Sequence, residues 1–322
     1  NRQATRSHIA QEFGDGTVVS NRPFASHAWT LAGDYAVVLR AYNQDNPSGV
    51  TATINIHVAD AVHYVDLNSA SPSPPYDSWA IAATNIQDAI DAASTPGALV
   101  LVTNGVYETG GRAVFGTMTN RVAVDRILML RSVNGPQFTF IRGYQLPGIT
   151  NGDGAIRCVY LTSGATLSGF TLTNGATRAG GDPALEQSGG GLWCEFSAIA
   201  NASNCVVAGN SANRYGGGVY GGSLVNCQLV GNSAVQADGG GVFGGMLANC
   251  QLVGNSAAYG GGASSGTLSN CTLTANSAVK GGGGAYQCTM DSCTLNCKWG
   301  ATNGGGVGGG SLNNCLLTDN SA

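Results

Sequence analysis

Charge is scarce in this chain. Of 322 residues only 14 are Lys or Arg and 18 are Asp or Glu, for a net charge of −4. A nucleic-acid binder carries a basic stripe, and none is present, so nucleic acid is excluded as a partner. Histidine is scarcer still, with 4 copies and none beyond His63. Because Cys-x-x-Cys pairs are also missing, the common zinc-ligand spacings are ruled out. No run of eighteen apolar residues occurs, so no helical membrane span is predicted. A signal peptide is likewise not visible, which a missing leader would explain.

What the chain does have is glycine, at 50 residues, and a repeat. Gly216 to Ala234 reads Gly-Gly-Gly-Val-Tyr-Gly-Gly-Ser-Leu-Val-Asn-Cys-Gln-Leu-Val-Gly-Asn-Ser-Ala, and this unit recurs about six times to Ala322. One cysteine marks each copy: Cys205, Cys227, Cys250, Cys271, Cys293 and Cys315, separated by 22, 23, 21, 22 and 22 residues. A fixed period of this length means one supersecondary unit stacked on its neighbours.

The unit is too rich in Gly and Asn for helix. Cys227 and Leu229 flank Gln228 in the alternation of a strand, whereas Leu224 to Cys227 is an offset of three. That break in period two predicts a corner at Asn226, a residue type that tolerates the left-handed conformation. Asn recurs there at Asn204, Asn249, Asn270 and Asn314, with Ser292 the exception. A second column runs through Asn210, Asn232, Asn255, Asn276 and Asn320. One strand, a corner, another strand and a Gly-rich return make one coil. Stacked coils place parallel strands about 4.8 Å apart with like residues above like. The expected fold is all-β: a parallel β-helix whose Leu and Cys columns fill the interior and whose Asn columns form amide ladders.

The Gly-Gly-Gly-Val-Tyr and Leu-Val-Gly-Asn elements resemble the GG[A/I] and Fxx[N] repeats of polymorphic outer-membrane adhesins. More broadly, residues 189–322 are similar to the right-handed β-helix repeats of the pectin-lyase-like superfamily. That resemblance implies a right-handed coil of about 22 residues. It implies little about function, because the fold hosts lyases, hydrolases and adhesins alike.

Four segments follow from this reading. Residues 191–322 are the regular repeats, cut off before a C-terminal cap. Residues 111–190 are irregular coils with longer loops, with strands expected at Ile127–Arg131, Phe138–Gly143, Cys158–Leu161 and Ala165–Leu172. Residues 61–110 start the solenoid: a strand at Val62–Leu67, then an amphipathic helix within Ser78–Ser94, then strands at Ala98–Val102 and Gly105–Tyr107. Ile81, Ile86, Ala89, Ile90 and Ala93 form the helix's apolar face, with Asp88 and Asp91 outside, so it is expected to cap the open end of the core. Residues 1–60 differ. Glu12-Phe-Gly-Asp-Gly-Thr, His27-Ala-Trp and Gly33-Asp-Tyr-Ala-Val-Val-Leu resemble a PKD-type β-sandwich that lacks its first strands. Asp15 in that turn is weighed as a Ca²⁺ ligand against a turn-forming role, and the turn is preferred. No cofactor is otherwise expected.

The cysteine column is read as small apolar core, since like-pointing neighbours on parallel strands are poor disulfide geometry. Cys158, Cys194, Cys288 and Cys297 lie off the column, and a Cys288–Cys297 link is the one pairing left open.

Polysaccharide chemistry on such a coil needs carboxylates and a cationic base in a groove. In residues 205–322 the charged residues are only Arg214, Asp238, Lys280, Asp291, Lys298 and Asp319, too scattered for that. The 174–188 loop is better supplied, with Arg178, Asp182 and Glu186 ahead of Trp193 and Glu195. These form either a glycan groove with a carboxylate pair or ordinary solvated loop charges. A last column, Trp193, Tyr220, Phe243, Ser264, Tyr286 and Gly308, follows each Gly triplet. Facing outward it would be an aromatic strip for sugars; facing inward it would be a core stack. The spacing leaves both open.

Three functions are carried forward. The first is a secreted or cell-surface bacterial protein, adhesin-like or structural and without catalysis, able to associate end to end. The second is a polysaccharide lyase or glycosidase working within residues 110–200. The third is a glycan-binding module using the aromatic strip, its partner an extracellular polysaccharide or a surface protein.

Overall fold

A computed structural model describes residues 8–29, 31, 33–58, 61–195, 201–297 and 304–320. The chain forms two compact units, Asn1–Ala61 and Val62–Ala322. Lys298 lies outside the described residues.

The first unit holds a four-stranded antiparallel sheet. Its strands are β1 (His8–Glu12), β2 (Val18–Ser20), β3 (Gly33–Tyr42) and β4 (Val50–Val58), ordered β2-β1-β3-β4. The Gly-Asp-Gly turn joins β1 to β2. At Gly14 the backbone is left-handed, φ +78°, and an added Cβ would lie 3.0 Å from the backbone of Ala36. Phe13 is buried beneath the turn, and its carbonyl accepts the Trp29 indole N–H at 2.9 Å. Asp15 accepts the Thr17 N–H at 3.0 Å and meets His27 Nε2 at 2.7 Å. Its carboxylate thus serves the turn.

The second unit winds as the right-handed parallel β-helix expected from the repeats. Its first face begins with Val62–Val65 beside Ala98–Val102 and continues through Leu128–Ser132, Thr166–Ser168, Asn201–Ser203 and Ser223–Val225. The second face runs from Gly105–Tyr107 through Thr139–Arg142, Thr171–Thr173, Val206–Ala208 and Gln228–Val230. Equivalent residues pair without slippage: Leu229 opposes Leu252, and Leu252 opposes Leu273. A third, short face, Ser211–Ala212, Ser233–Ala234, Ser256–Tyr259 and Ser277–Gly281, escapes the sequence reading. All four begin Ser-Ala, and two are only two residues long, so no apolar alternation reveals them.

The corners obey backbone chemistry. Asn204, Asn226, Asn249, Asn270, Ser292 and Asn314 all have φ between +50° and +55°. Ser292 therefore departs from the column in identity but not in conformation. At the return corner, coils approach backbone to backbone. A Cβ on Gly240 would sit 2.3 Å from the Ser256 carbonyl oxygen, and one on Gly261 would sit 2.1 Å from that of Ser277. No side chain fits in the middle of the triplet.

Inside the coil, Leu224, Cys227, Leu229 and their counterparts one coil on, Leu247, Cys250 and Leu252, are all buried. All ten cysteines are free thiols, so Cys288 and Cys297 are not bridged. The buried Asn column forms the amide ladder expected of it. Asn232 Oδ1 accepts from the Asn210 backbone N–H at 3.0 Å and from its Nδ2 at 3.1 Å, while its own Nδ2 donates to Val207 O at 2.8 Å and Asn255 Oδ1 at 2.9 Å. Cys297 takes the ladder position after Asn276, its N–H donating to Asn320 Oδ1 at 2.9 Å.

Over the start of the solenoid lies α1 (Ile86–Ala92), N-capped by Asn85, whose side chain accepts from Gln87 N at 2.8 Å. It is shorter than the apolar spacing suggested, because Trp79–Ile81 forms a separate 3₁₀ turn. Ile86, Ala89 and Ile90 are buried, and Asp88 and Asp91 face out.

The ladder predicts a large, local cost for its removal. Asn232→Leu keeps the size of the side chain but removes the acceptor of the buried Asn210 N–H and one partner each from Asn210 Nδ2, Val207 O and Asn255 Oδ1. An unpaired buried polar group costs about 1–3 kcal/mol, so a loss of about 1–3 kcal/mol in urea unfolding is expected. An unchanged midpoint would show that the amides do not carry the corner.

Candidate functional site

The second unit's charges concentrate where two long loops cross the outer side of the paired strands Thr119–Val124, Ile156–Leu161 and Leu192–Cys194. The neighbours of the cationic groups decide what chemistry is available. Arg178 Nη1 contacts Glu186 Oε1 at 2.6 Å, and Nη2 contacts Asp153 Oδ1 at 2.8 Å. Glu186 also accepts the Thr117 N–H at 3.0 Å, the Thr117 hydroxyl at 3.1 Å and the Asp182 N–H at 3.0 Å. Glu186 is therefore a staple, joining the 111–118 segment to the 174–188 loop. Those N–H donors, Thr117 first and then Asp182, together with the Arg178 guanidinium, hold its carboxyl down to about 2. Asp182 faces its own turn, with Oδ1 accepting from Ala184 N at 2.9 Å and Leu185 N at 2.8 Å.

Glu195 joins a different set. It accepts the Tyr160 hydroxyl at 2.6 Å, the Thr162 hydroxyl at 3.0 Å and the Ser163 N–H at 3.1 Å. Partial burial would raise its pKa, but these donors prevail and hold it below the ordinary carboxylate range. A carboxylate kept ionised by fixed internal donors is poorly suited to protonate a leaving group.

Beneath the loop lies a charged residue of this region that was not among the candidate site residues. Arg157 is buried at 2% exposure. Its Nε donates to Gly189 O at 2.9 Å and its Nη1 to Asn120 Oδ1 at 2.8 Å; its Nη2 donates to Leu185 O and Ser188 O, at 2.9 and 2.7 Å. Burial depresses the pKa of its guanidinium. Four carbonyl-type acceptors satisfy the cation, and it anchors the loop from below. Its one sequence signal is a charge within the otherwise apolar strand Ile156–Leu161. Other outer cations are paired as well: Arg112 with Asp91 at 2.6 Å and Arg142 with Glu108 at 2.9 Å.

The aromatic column lies outside the coil. Leu192, Val219 and Val242 fill the interior, so the alternating Trp193, Tyr220 and Phe243 face the other way. The rings form a stack, with Tyr160–Trp193 centroids 5.4 Å apart, Trp193–Tyr220 5.9 Å and Tyr220–Phe243 5.7 Å, all within 14° of parallel. Yet Trp193 and Tyr220 are buried, because Val114, Phe115, Ala184, Leu185 and Tyr215 pack over them. The Trp193 indole N–H donates to Ala184 O at 2.8 Å. The first half of the column is thus neither open strip nor coil core: it is a second, roofed core. Beyond Tyr220 the stack is half-exposed. Tyr215 leans on Phe243 at 4.6 Å, Ser264 interrupts the column, and Tyr286 packs against Tyr259 at 4.7 Å with the Lys280 ammonium 5.5 Å from the Tyr259 ring. Beside this half is a shallow cavity of about 240 Å³, lined by Gly221, Gly222, Gly244, Gly245, Met246, Ser265 and Thr267.

The structure thus brings Arg178, Asp182, Glu186 and Trp193 together under one loop and sets Glu195 against Tyr160. It places Phe243 and Tyr286 further along the same face. Among the described residues no three His, Cys, Asp or Glu side chains converge as a metal-binding group. No helix among them is long and apolar enough to cross a membrane.

No family model matches the chain, and no curated protein sequence matches it. Among solved structures it is similar to the pectin methylesterase from carrot, over 82% of this chain and 84% of that one, with 10% identity and a TM-score of 0.42. The fold assignment rests on the chain's own strand register.

The staple generates a pH prediction. Glu186 has a folded pKa near 2 against an ordinary 4.5, so its contribution is present above pH 4.5 and is lost as pH falls toward 2. Trp193 fluorescence should shift over that window as the loop lifts, and Glu186→Gln should abolish this component. A wild-type profile identical to that of the variant would remove the staple.

Proposed function

We propose that this chain is a non-catalytic, exported surface protein, adhesin-like or structural, in which a β-helical stalk is joined to a PKD-like spacer. One observation carries the reading: Glu186 and Glu195, the best-placed carboxylates for glycan chemistry, are each held by three or more internal partners. An acid/base pair needs at least one group free to exchange a proton with substrate. Coils of about 22 residues with tight corners also leave little material for groove walls. A secreted or surface location follows from the adhesin-like repeats, and the partners in view are an extracellular polysaccharide, a surface protein or a second copy joined end to end.

A second reading is favoured by a specific feature, the half-exposed segment from Phe243 to Tyr286 beside the 240 Å³ cavity. Flat aromatic faces next to backbone amides and the Ser265 and Thr267 hydroxyls suit a sugar ring, which has one apolar face and a polar rim. Of the eight candidate residues, Phe243 and Tyr286 fit this role best. Trp193 and Tyr220 are covered, and Arg178, Asp182, Glu186 and Glu195 serve as loop supports.

Incubation with a panel of acidic and neutral polysaccharides separates these readings. No new reducing or unsaturated ends are expected, and release of either would overturn the non-catalytic assignment. On a glycan array, a Phe243→Ala, Tyr286→Ala variant should lose any binding the parent shows by tenfold or more; full retention would eliminate the aromatic segment as the site.

A further inference from the structure

The cysteine column has a geometry that core packing alone does not use. Each sulfur lies against two equivalent acceptors, one in its own coil and one in the coil before. Cys227 Sγ is 3.4 Å from Val225 O and 3.6 Å from Ala202 O; Cys250 Sγ is 3.3 Å from Ala248 O and 3.5 Å from Leu224 O. Cys271 repeats this at 3.3 Å from Ser269 O and 3.7 Å from Leu247 O, and Cys293 at 3.3 Å from Asp291 O and 3.6 Å from Leu268 O. The same surroundings mean the same side-chain rotamer, so the sulfurs are related by translation along the stack. Their spacing is then the coil rise, about 4.8 Å. A disulfide needs about 2.0 Å between sulfurs, and like-pointing rotamers hold neighbouring sulfurs well beyond that. A metal–thiolate bond of about 2.3 Å, however, spans half of that spacing.

We propose that the column Cys205, Cys227, Cys250, Cys271, Cys293 and Cys315 is a binding array for soft, two-coordinate monovalent cations, each ion lying between the sulfurs of consecutive coils. Side chains stand roughly perpendicular to the strands, so an ion on the stacking axis meets each sulfur at nearly a right angle to its Cβ–Sγ bond. Thiolate donors select soft ions over Mg²⁺ or Ca²⁺, and the column offers no oxygen or nitrogen side chain to a harder one. Backbone N–H groups already point at the sulfurs: Cys227 N to Cys250 Sγ at 3.5 Å, Cys271 N to Cys293 Sγ at 3.4 Å and Cys293 N to Cys315 Sγ at 3.5 Å. Such donors stabilise sulfur as a thiolate.

Charge decides how the array fills. A thiolate with no cation beside it is costly in an apolar interior, so the empty column holds neutral thiols. Every thiol that becomes a ligand releases one proton to solvent. An isolated pair of thiolates around one monovalent ion would leave a net negative charge in an apolar interior, which is costly. When successive ions share sulfurs, six thiolates and five ions leave a single negative charge over the whole column. Filling is therefore cooperative, up to one ion for each of the five gaps between the six sulfurs. Convergence of three ligands is not required.

The test uses the full reduced chain and silver nitrate in chloride-free buffer. Native mass spectrometry should show cooperative uptake, and X-ray absorption at the silver edge should show two sulfur neighbours per ion with a silver–silver distance near the coil rise. Far-UV circular dichroism should be unchanged. Cys250→Ser with Cys271→Ser leaves only two adjacent pairs, Cys205–Cys227 and Cys293–Cys315, so three ions should be lost. Replacing Cys158, Cys194, Cys288 and Cys297 by Ala should leave the column's uptake intact. Three or four sulfur neighbours per ion, uptake that tracks loss of the β-sheet signal, or no loss of ions in the double Ser variant would each overturn the proposal. If that variant does not fold, absorption data on the parent chain decide alone.

Discussion

The spacing between hydrogen-bonded parallel strands governs this molecule. Once a chain winds so that each coil pairs in register with the next, every side-chain position becomes a row with a repeat of about 4.8 Å. Only residue types that tolerate self-stacking at that distance can occupy a row. Leucine and valine do so by dispersion, and asparagine by donating to the residue above and accepting from the one below. Cysteine does so by being small and leaning on carbonyls. Like charges do not tolerate it, which accounts for a chain in which only 10% of residues are charged.

The same constraint explains where the departures lie. Within the solenoid, charged residues concentrate in residues 111–195, where loops leave the coil and can reach across it to find opposite partners. There Arg157 and Glu186 tie two loops over the aromatic stack, and the result is a second hydrophobic layer outside the first. Among the described residues of the regular coils no loop does this, and the rings at Phe243 and Tyr286 stay half-exposed. In the regular coils the Asn ladder supplies most of the buried polar side chains, which is acceptable because every amide group in it has a partner.

Much of the coil was legible in the sequence. The offset of three between Leu224 and Cys227 located a left-handed corner at Asn226, and the strands Ala98–Val102 and Gly105–Tyr107 were placed to the residue. Periodicity could do this because register copies one local rule many times. The short third face was not legible, since a strand of two small residues such as Ser233–Ala234 is too short to show any alternation. The candidate site was less legible still. Arg178, Asp182, Glu186 and Trp193 do come together, but that Glu186 bonds to Thr117 depends on two loops meeting across 69 residues of chain. Whether the aromatic column faced in or out turned on the bend between Tyr220 and Leu224, where Gly221 and Gly222 both adopt positive φ and shift the alternation. Local pattern carries no signal for either.

Anomalous diffraction from native sulfur tests the central claim most directly, because it locates cysteines without reference to any fold. If the chain winds once for each repeat, the map shows Cys205, Cys227, Cys250, Cys271 and Cys293 in a single file with steps close to the strand spacing. Sulfurs scattered through the interior, or neighbours separated by 7 Å or more, would contradict the winding and every inference built on it.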